Sequence, residues 1–421
     1  MYSEFVEAQI FRLCKQPRSF EFISLNLNGF DPIELFEKLK KLEEESKLLY
    51  INNLWCINKR NEDSKIDSSH DAQFKFFNEH IGFFGLFKKP HPLDFEWRNS
   101  TGSLNYLINK IQELNDVHDK SLFLGFPTLF ATACINDIPQ GVTLVEKNEP
   151  IIKGLSKLNV DKDRFKIIEA DIFTANPEKI GKFHSVVMDP PWYPPHFFQF
   201  MWLAAQCVEI GGVVAISLSS INTRPNIAEE RIEWFSFCQK QGLCLENLYS
   251  QKLHYAMPFF EFNAFRAAGV KDILPFWRKG DLAFFRKINT DTIKRPALKE
   301  VREEWIEREI KNVRIRIKIE ENENLEPELE ICSVVKGDIF PKVSTRDDRR
   351  KQANVWTSGN RIFKVNNAKL FLRLLDDVLE GKSGEGLQVV KEFIDTVIQL
   401  ENNEYNNYLD WLYHEMERQT N

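Results

Sequence analysis

The sequence lacks the paired cysteines on which zinc sites and disulfide frameworks depend. Its seven cysteines are scattered and odd in number, and no two of them form a C-x-x-C pair. The sequence therefore predicts neither a structural metal nor a disulfide scaffold. Reduced thiols are typical of the cytosol, so we expect a cytoplasmic protein.

Signals for export or membrane insertion are also missing. The opening segment MYSEFVEAQIFRLC carries acidic residues where a signal peptide has basic residues followed by an apolar run. No stretch approaches the roughly 18 uncharged apolar residues that a membrane-spanning helix needs. We expect no leader peptide and no association with a membrane.

An overall excess of positive charge is absent as well. The 421 residues carry a formal net charge of −6, so any contact with nucleic acid would need a local basic surface. The length predicts two or three domains. The apolar fraction of 43% and the charged fraction of 28% are typical of globular proteins.

Residues 1–60 predict a small unit of three helices and a hairpin. Asp31 followed by Pro32 is a typical helix start, and two short β-like runs are joined near Asn52 and Asn53. This order resembles a winged helix, which usually contacts DNA through its third helix. That helix here has no excess of basic over acidic residues. Nucleic-acid contact and a structural or protein-docking role therefore both stay open.

Residues 61–117 are expected to connect this unit to the rest of the chain. Residues 61–75 are polar and lack periodicity, which is typical of a linker. The segment that follows mixes phenylalanines with helix-like stretches. We interpret it as a helical lead-in to the central domain.

Residues 118–290 alternate strand-like and helix-like segments. This alternation predicts an α/β fold, with a mostly parallel sheet that has helices on both faces. Ligands bind such sheets at the carboxyl ends of the strands. The unusual residues of this domain lie at or just past those ends.

The segment VVMDPPWYPP ends the fourth predicted strand with an acid, prolines and aromatic residues. Pro190 and Pro191 fix the backbone and cannot extend the sheet. The Asp189 carboxylate and a proline carbonyl can accept hydrogen bonds from an exocyclic amine. Trp192 or Tyr193 offers a flat ring for stacking. These are the groups that a site for a flipped or single-stranded base needs.

The D-P-P-W segment resembles motif IV of the class I S-adenosylmethionine-dependent amino-methyltransferases, which methylate adenine N6, cytosine N4 or other amines. The resemblance covers about residues 118–290. It implies a Rossmann-like domain with S-adenosyl-L-methionine as cofactor. It also implies catalytic roles for Asp189, Pro190, Pro191 and Trp192, with no metal.

The same resemblance implies a set of cofactor-binding residues. Glu146 ends the second strand, where an acid takes the ribose hydroxyls. Asp171 ends the third strand, at the position that contacts the adenine amino group, and Ile172 could pack on the ring. Gly125 would give the cofactor room after the first strand, and Thr128 offers a hydroxyl.

The turn after the first strand departs from the family pattern. The family has a glycine-rich turn there, whereas this chain has GFPT. Pro127 removes a backbone N–H that a ligand could use, although it could open a helix. The departure leaves open a catalytically inactive adaptor or nucleic-acid-binding protein, in which Phe126 or Pro127 should block the cofactor site.

An N-terminal winged-helix-like unit joined to a D-P-P motif is also similar to the branched-chain polyamine synthases. These are aminopropyltransferases that use decarboxylated S-adenosylmethionine. Their first turn is an acidic G-D-D-D run, and GFPT contains no acid. The similarity therefore implies a shared architecture rather than a shared substrate, and acids lining the substrate pocket would favour this alternative.

Residues 291–421 predict a smaller α+β region. The segment EVREEWIEREIKN is typical of a charged helix. VRIRIKI alternates strictly and predicts a strand with Arg314, Arg316 and Lys318 on a solvated face. Two further helices are expected near the end of the region.

A polar loop in this region, VSTRDDRRKQANVWTSGNRIF, surrounds Trp356 with basic residues. Arginine beside an aromatic ring suits phosphate contact together with base stacking. A salt-bridged loop docked on the central domain is the alternative. The candidate substrate-binding residues are Tyr193, His196, Arg349, Arg350, Trp356 and Arg361, and Arg346 is near them in the sequence. The segment LHYAMPFFEFNAFRAAG is a weaker indication of where the substrate binds.

Together these features predict a methyltransferase that acts on an exocyclic amine, with adenine N6 in DNA or RNA as the favoured acceptor. Nucleic acid is the expected partner. Aminopropyl transfer and an inactive adaptor remain the alternatives. The sequence leaves open whether the protein forms a homo-oligomer or binds a partner protein.

Overall fold

The computed structural model describes residues 2–58, 86–94, 96–297, 303–319, 328–343, 347–382, 384 and 386–420, without the side chains of 416–420. Its α-helices are α1 (Tyr2–Leu13), α2 (Phe20–Asn26), α3 (Pro32–Glu44), α4 (Thr101–Leu114), α5 (Pro127–Ile135), α6 (Glu149–Leu155), α7 (Pro177–Ile180), α8 (Pro194–Cys207), α9 (Ile227–Gln239), α10 (Phe259–Ala267), α11 (Ala368–Leu379) and α12 (Leu387–Thr420). None of these described helices is both long and apolar enough to cross a membrane.

The strands form three sheets. They are β1 (Leu48–Ile51), β2 (Leu54–Ile57), β3 (Arg98–Asn99), β4 (Lys120–Leu124), β5 (Gly141–Glu146), β6 (Phe165–Glu169), β7 (Phe183–Met188), β8 (Val208–Ser219), β9 (Leu243–Ala256), β10 (Arg278–Lys287), β11 (Ile306–Ile310), β12 (Val313–Ile317), β13 (Ile331–Ser333), β14 (Val355–Thr357) and β15 (Ile362–Val365).

The central sheet confirms the predicted α/β class. Its order is β3-β9-β10-β8-β7-β4-β5-β6. The strands β8, β7, β4, β5 and β6 run parallel, and β10 is antiparallel to both of its neighbours. One face buries α8 and α9 through Phe197 and Trp234, and the other buries α4 and α5 through Leu107 and Phe130. Both faces are therefore covered by helices, as such sheets require.

The N-terminal unit has the three helices and the hairpin that the sequence predicts. The Asp31 carboxylate accepts hydrogen bonds from the backbone N–H groups of Ile33 and Glu34, at 2.8 and 3.2 Å, and so caps α3. Asn52 and Asn53 both have positive φ in the two-residue turn between β1 and β2. The winged-helix assignment itself stays a prediction, and residues 59–85 of the predicted linker and lead-in lie outside the described residues.

This unit does not have a core of its own. Its buried residues share one cluster with α10 and with the distal part of α12. The Tyr408 hydroxyl of α12 donates to the backbone carbonyl of Met257, at 2.8 Å. The N-terminal and C-terminal regions are therefore packed together beside the central sheet.

The C-terminal region is an antiparallel sheet, in the order β11-β12-β14-β15-β13, with α11 and α12 against it. The prediction of a charged helix over EVREEWIEREIKN is wrong where the structure describes that segment, because Ile306–Ile310 is a strand paired with β12. Lys311 and Asn312 have positive φ and form a two-residue turn. Strand pairing across this turn outweighed the helix propensity of the Glu and Arg residues.

The predicted solvated face of VRIRIKI is also corrected. Arg314 is buried, and its guanidinium donates to the carboxylates of Asp94 and Glu307, the latter at 2.7 Å. Arg316 pairs with the same two carboxylates. The alternation predicted the strand correctly. The segment around Asp94, more than 200 residues away, covers the charged face, and local sequence could not indicate this.

Burial opposes ionisation of Asp94, but the guanidiniums of Arg314 and Arg316 outweigh it and lower the pKa of Asp94 to about 2. Asp94→Asn should reduce the free energy of unfolding by about 3 kcal/mol or more, since it leaves two buried guanidiniums short of a partner. Urea unfolding of the full chain at pH 7 measures this. In the control Asp376→Asn, which breaks the more exposed pair with Arg308, the loss should stay within about 1 kcal/mol. Equal losses in the free energy of unfolding of the two variants would contradict the assignment of Asp94 as the partner of two arginines in a buried ion-pair cluster.

The ionised Asp94 also makes stability depend on pH. Because its pKa in the folded protein lies below the ordinary 3.8, its contribution is present above pH 3.8 and is lost as the pH falls towards 2. Between pH 3.8 and pH 2, the free energy of unfolding should therefore fall less in Asp94→Asn than in the unaltered protein.

Candidate active site

A cavity of about 430 Å³ opens at the carboxyl ends of β4 and β7. Such a volume is in the range of small-molecule sites, roughly 300–1,000 Å³. All three regions of the chain line it. The residues are Asp31, Glu34, Glu96, Trp97, Arg98, Gly125, Phe126, Pro127, Thr128, Asp189, Pro190, Pro191, Trp192, Tyr193, Thr223, Arg224, Pro225, Tyr255, Arg278, Lys342, Val343 and Asp347.

The D-P-P-W segment forms one wall of this cavity. β7 ends at Met188, and Pro194 opens α8, so the intervening residues are held between a buried strand and a buried helix. The Trp192 indole N–H donates to Ser217 Oγ at 3.1 Å. Its ring lies edge-on to Tyr255, with centroids 5.4 Å apart. A Cβ at Gly280 would lie only 2.9 Å from the Trp192 ring, so glycine is required there.

Asp189 has an unusual environment for a carboxyl group. Its Oδ1 accepts a hydrogen bond of 2.8 Å from the Tyr255 hydroxyl. Burial raises the pKa of Asp189 to about 7, although the hydroxyls of Tyr255 and Ser217 favour the ionised form. A carboxyl group with this pKa is present in both forms near neutral pH. It can therefore accept a proton from a bound amine or hold one.

The GFPT turn also lines this cavity, and it follows β4, the strand next to β7. Gly125 has a φ of +57°, and a Cβ there would meet the Phe200 ring at 3.1 Å. The Phe126 side chain is 2% exposed and packs in the core with α4 and α5. Pro127 is the first residue of α5, as expected, and Thr128 follows it. Phe126 and Pro127 line the cavity, whereas Glu146 and Asp171 do not. The alternative of an inactive adaptor with a blocked cofactor site therefore stays an alternative.

The predicted cofactor acids are close to this turn but do not line the cavity. Gly125 N–H donates to the Val145 carbonyl at 3.0 Å, and Ala170 N–H donates to the Glu146 carbonyl at 3.0 Å. These bonds place the ends of β4, β5 and β6 side by side. Asp171 is the second residue after β6. Of the predicted cofactor residues, the cavity itself contains Gly125 and Thr128.

Both acids have partners within the protein. Glu146 Oε1 accepts from the backbone N–H groups of Lys147 and Asn148, each at 2.8 Å. Burial raises the pKa of Glu146, and these two bonds oppose the shift. Asp171 Oδ1 accepts from Phe173 N–H at 2.9 Å, and its other oxygen lies 3.6 Å from Lys147 Nζ.

Two further predicted residues lie around the same edge of the sheet. Ile172 is buried, and its Cδ1 lies 3.5 Å from the position that a Cβ on Gly125 would take. His196 is the third residue of α8 and packs edge-on against Phe173, with ring centroids 5.2 Å apart. Ile172 is therefore placed beside the first turn, whereas His196 does not line the cavity.

The prediction that Trp356 stacks on a nucleic-acid base is wrong. Trp356 is 2% exposed, and its indole N–H donates to the Asn360 side chain at 3.0 Å. It lies in a cluster with Phe340 and Ile362. Burying this large ring between the strands and the loop outweighs any gain from exposing it.

The arginines around Trp356 are engaged in ion pairs. Arg349 binds Asp347 at 2.7 Å, Arg350 binds Glu303 at 3.3 Å, and Arg361 binds Glu404. Arg346 lies outside the described residues. The structure therefore favours the alternative of a salt-bridged loop, and none of these predicted substrate-binding arginines lines the cavity.

Several cavity residues had no signal in the sequence. Tyr255 lies in the segment that the sequence indicated only weakly. Ser217, which bonds to the cavity residues Trp192 and Tyr255, lies within the buried strand β8. Charged residues from distant parts of the chain complete the lining. The carboxylates are Asp31, Glu34, Glu96, Asp189 and Asp347, and the cations are Arg98, Arg224, Arg278 and Lys342.

Replacing Asp189 should make the protein more stable at alkaline pH. Because the pKa of Asp189 is raised from 3.8 to about 7 by burial, its contribution to stability is fully present below pH 3.8 and is lost as the pH rises through 7. Asp189→Asn should therefore raise the Tm at pH 8 by about 2 °C or more, and by less at pH 5. Asp272 is exposed, so the control Asp272→Asn should not change the Tm at either pH. If Asp189→Asn does not raise the Tm at pH 8, the ionised Asp189 carboxylate does not destabilise the folded protein and the prediction is wrong.

Comparison with known proteins gives the fold. No protein-family profile and no curated protein sequence matches the chain. Among solved structures, a mutein of the branched-chain polyamine synthase from Thermus thermophilus, in complex with N4-aminopropylspermidine and 5'-methylthioadenosine, matches with a TM-score of 0.54 and 13% identity over 70% of this chain and 90% of that one. The unmutated synthase matches with a TM-score of 0.50 and 14% identity, over 69% and 88%.

A weaker match is a TehB-like SAM-dependent methyltransferase from Corynebacterium glutamicum. It has a TM-score of 0.30 and 12% identity, over 44% of this chain and 88% of that one. Similarities this distant in sequence establish the fold alone. The central domain has a Rossmann-like α/β fold.

Proposed function

We propose that this protein is an S-adenosylmethionine-dependent transferase that alkylates an amine. The observation that carries the proposal is the place of Asp189. Asp189 lines the cavity just after β7, and the GFPT turn that follows the neighbouring strand β4 lines the same cavity. That edge of a parallel sheet is where this fold binds its ligands.

The chain offers suitable groups for the cofactor. The carboxylates of Glu146 and Asp171 lie at neighbouring strand ends, where they could accept from ribose hydroxyls and from an adenine amino group. Ile172 supplies an apolar contact. When bound, the cofactor supplies an electrophilic carbon on its sulfonium.

Asp189 would act on the amine. The amine nitrogen forms a bond to the electrophilic carbon while the carbon–sulfur bond breaks, and the amine loses a proton. With a pKa of about 7, Asp189 is suited to accept that proton near neutral pH. Proper placement of the amine would supply most of the remaining rate enhancement.

The acceptor that the D-P-P-W segment favours is an exocyclic amine of a nucleic-acid base, with adenine N6 first. The Asp189 carboxylate and the Pro190 carbonyl would accept from the amino group, while Trp192 or Tyr193 stacks on the base. The contacts of Trp192 with Ser217 and Tyr255 hold its ring in a fixed orientation, which supports this role.

Aminopropyl transfer to a polyamine is the second candidate, because carboxylates line the cavity. Asp31, Glu34 and Glu96 lie there together with Asp189. Negative charge in a confined cavity attracts a cationic amine. Neighbouring cations reduce this effect, since Lys342 is 3.8 Å from Glu34 and Arg98 is 2.7 Å from Glu96.

Cofactor binding is tested by calorimetric titration of S-adenosylmethionine and of its decarboxylated form into the full chain. We expect one of the two compounds to bind with a micromolar Kd. In Glu146→Ala and in Asp171→Ala the affinity should fall about tenfold or more, which corresponds to about 1.4 kcal/mol of binding free energy. The exposed Glu149→Ala, three residues after Glu146 and paired only with Lys153 on its own helix, is the matched control. Absence of binding for both compounds at millimolar concentration would refute the proposal.

Transfer is tested by mass spectrometry of the acceptors. S-adenosylmethionine is offered with adenine-containing single-stranded DNA and RNA, and the decarboxylated cofactor is offered with spermidine. Asp189→Asn should slow the productive reaction about 100-fold or more, because the proton acceptor is gone, and should still bind the cofactor. Methylated adenine supports the first candidate and an aminopropylated amine supports the second. Undiminished transfer by Asp189→Asn would remove Asp189 from the chemistry.

A further inference from the structure

Tyr255 links Asp189 and Trp192 through a continuous chain of hydrogen bonds. The Trp192 indole N–H donates to Ser217 Oγ at 3.1 Å. Ser217 Oγ lies 2.6 Å from the Tyr255 hydroxyl, which donates to Asp189 Oδ1 at 2.8 Å. The four residues come from the segment after β7 and from β8 and β9. No sequence motif connects Ser217 and Tyr255 to Asp189 and Trp192.

The chemistry of the groups fixes the direction of this chain. An indole N–H can only donate, so the Ser217 oxygen accepts at that end. At the other end, the ionised Asp189 carboxylate can only accept. The hydroxyl protons of Ser217 and Tyr255 are therefore both directed away from Trp192 and towards Asp189. Hydrogen bonds arranged in one direction strengthen one another in a buried site.

The packing holds this arrangement in place. Tyr255 is 2% exposed and lies in the core between the central sheet and its helices. A Cβ on Gly280 would lie 3.2 Å from both Ser217 Oγ and the Tyr255 ring, and 2.9 Å from Trp192. The absence of a side chain at Gly280 thus lets the side chains of Trp192, Ser217 and Tyr255 approach each other.

We propose that Tyr255 is a positioning residue that holds Asp189 Oδ1, so that the other carboxylate oxygen faces the substrate amine, and that Ser217 couples this carboxylate to the orientation of the Trp192 ring. This inference rests on the proposed amine transfer. It assigns roles in that reaction to Ser217 and Tyr255, which lie outside the D-P-P-W motif.

The effect of this contact on pH dependence has a definite sign. A donated hydrogen bond favours the ionised carboxylate and opposes the effect of burial, so its loss should raise the pKa of Asp189 further. The other charged residues that line the cavity are Asp31, Glu34, Glu96, Arg98, Arg224, Arg278, Lys342 and Asp347. The substitution leaves all of them in place.

The test compares Tyr255→Phe with the unaltered protein over pH 5.5–9. We expect kcat to fall about tenfold and the acid limb of the pH profile to move up by about half a pH unit or more, with little change in the KM for the cofactor. Tyr249→Phe, an exposed tyrosine on the same strand, should leave the profile unchanged. A lower kcat with an unmoved acid limb would mean a merely structural role and would overturn the proposal.

A second measurement does not need activity. Fluorine NMR of protein labelled with 5-fluorotryptophan, with the Trp192 signal assigned from Trp192→Phe, should show a titration near pH 7. The titration should move upward in Tyr255→Phe and vanish in Asp189→Asn. If transfer is never found but this titration shifts, the coupling stands and the proposed function fails. A Trp192 signal insensitive to both substitutions would overturn the coupling whatever the activity.

Discussion

The parallel alignment of β4, β5, β6 and β7 is the constraint on which the candidate site depends. Because these strands are parallel, their carboxyl ends meet at one edge of the sheet, and the residues that follow them become neighbours. Gly125 and Asp189 are far apart in the chain and line one cavity for this reason. The same alignment brings Glu146 and Asp171 to adjacent positions.

The cavity is closed by parts of the chain that lie outside the central domain. The N-terminal unit contributes Asp31 and Glu34, and the C-terminal region contributes Lys342 and Asp347. These parts are fixed by buried contacts, among them the ion pairs of Asp94 with Arg314 and Arg316. The central domain therefore supplies Asp189 and the GFPT turn, while the flanking regions set the size and charge of the cavity.

Asp189 illustrates how stability and chemistry compete. A buried carboxyl group with a pKa near 7 costs stability whenever it is ionised, and the donors Tyr255 and Ser217 recover part of that cost. A fully solvated aspartate would be more stable when charged but would be a poorer proton acceptor near neutral pH. The hydrogen-bonded, partly desolvated position is a compromise between these demands.

Local periodicity and turn chemistry let the sequence determine the strands β4 to β10 of the central sheet, the start of α5 at Pro127 and the position of Asp189 at a strand end. These features depend on neighbours within a few residues. Only the tertiary structure decided that Ile306–Ile310 is a strand, that Arg314 and Trp356 are buried, and that Tyr255 and Ser217 reach Asp189. Each of these outcomes depends on a partner far away in the chain: Arg314 and Asp94, for example, are 220 residues apart. Burial and pairing between such distant groups outweigh local preference, and a single sequence carries no local signal for them.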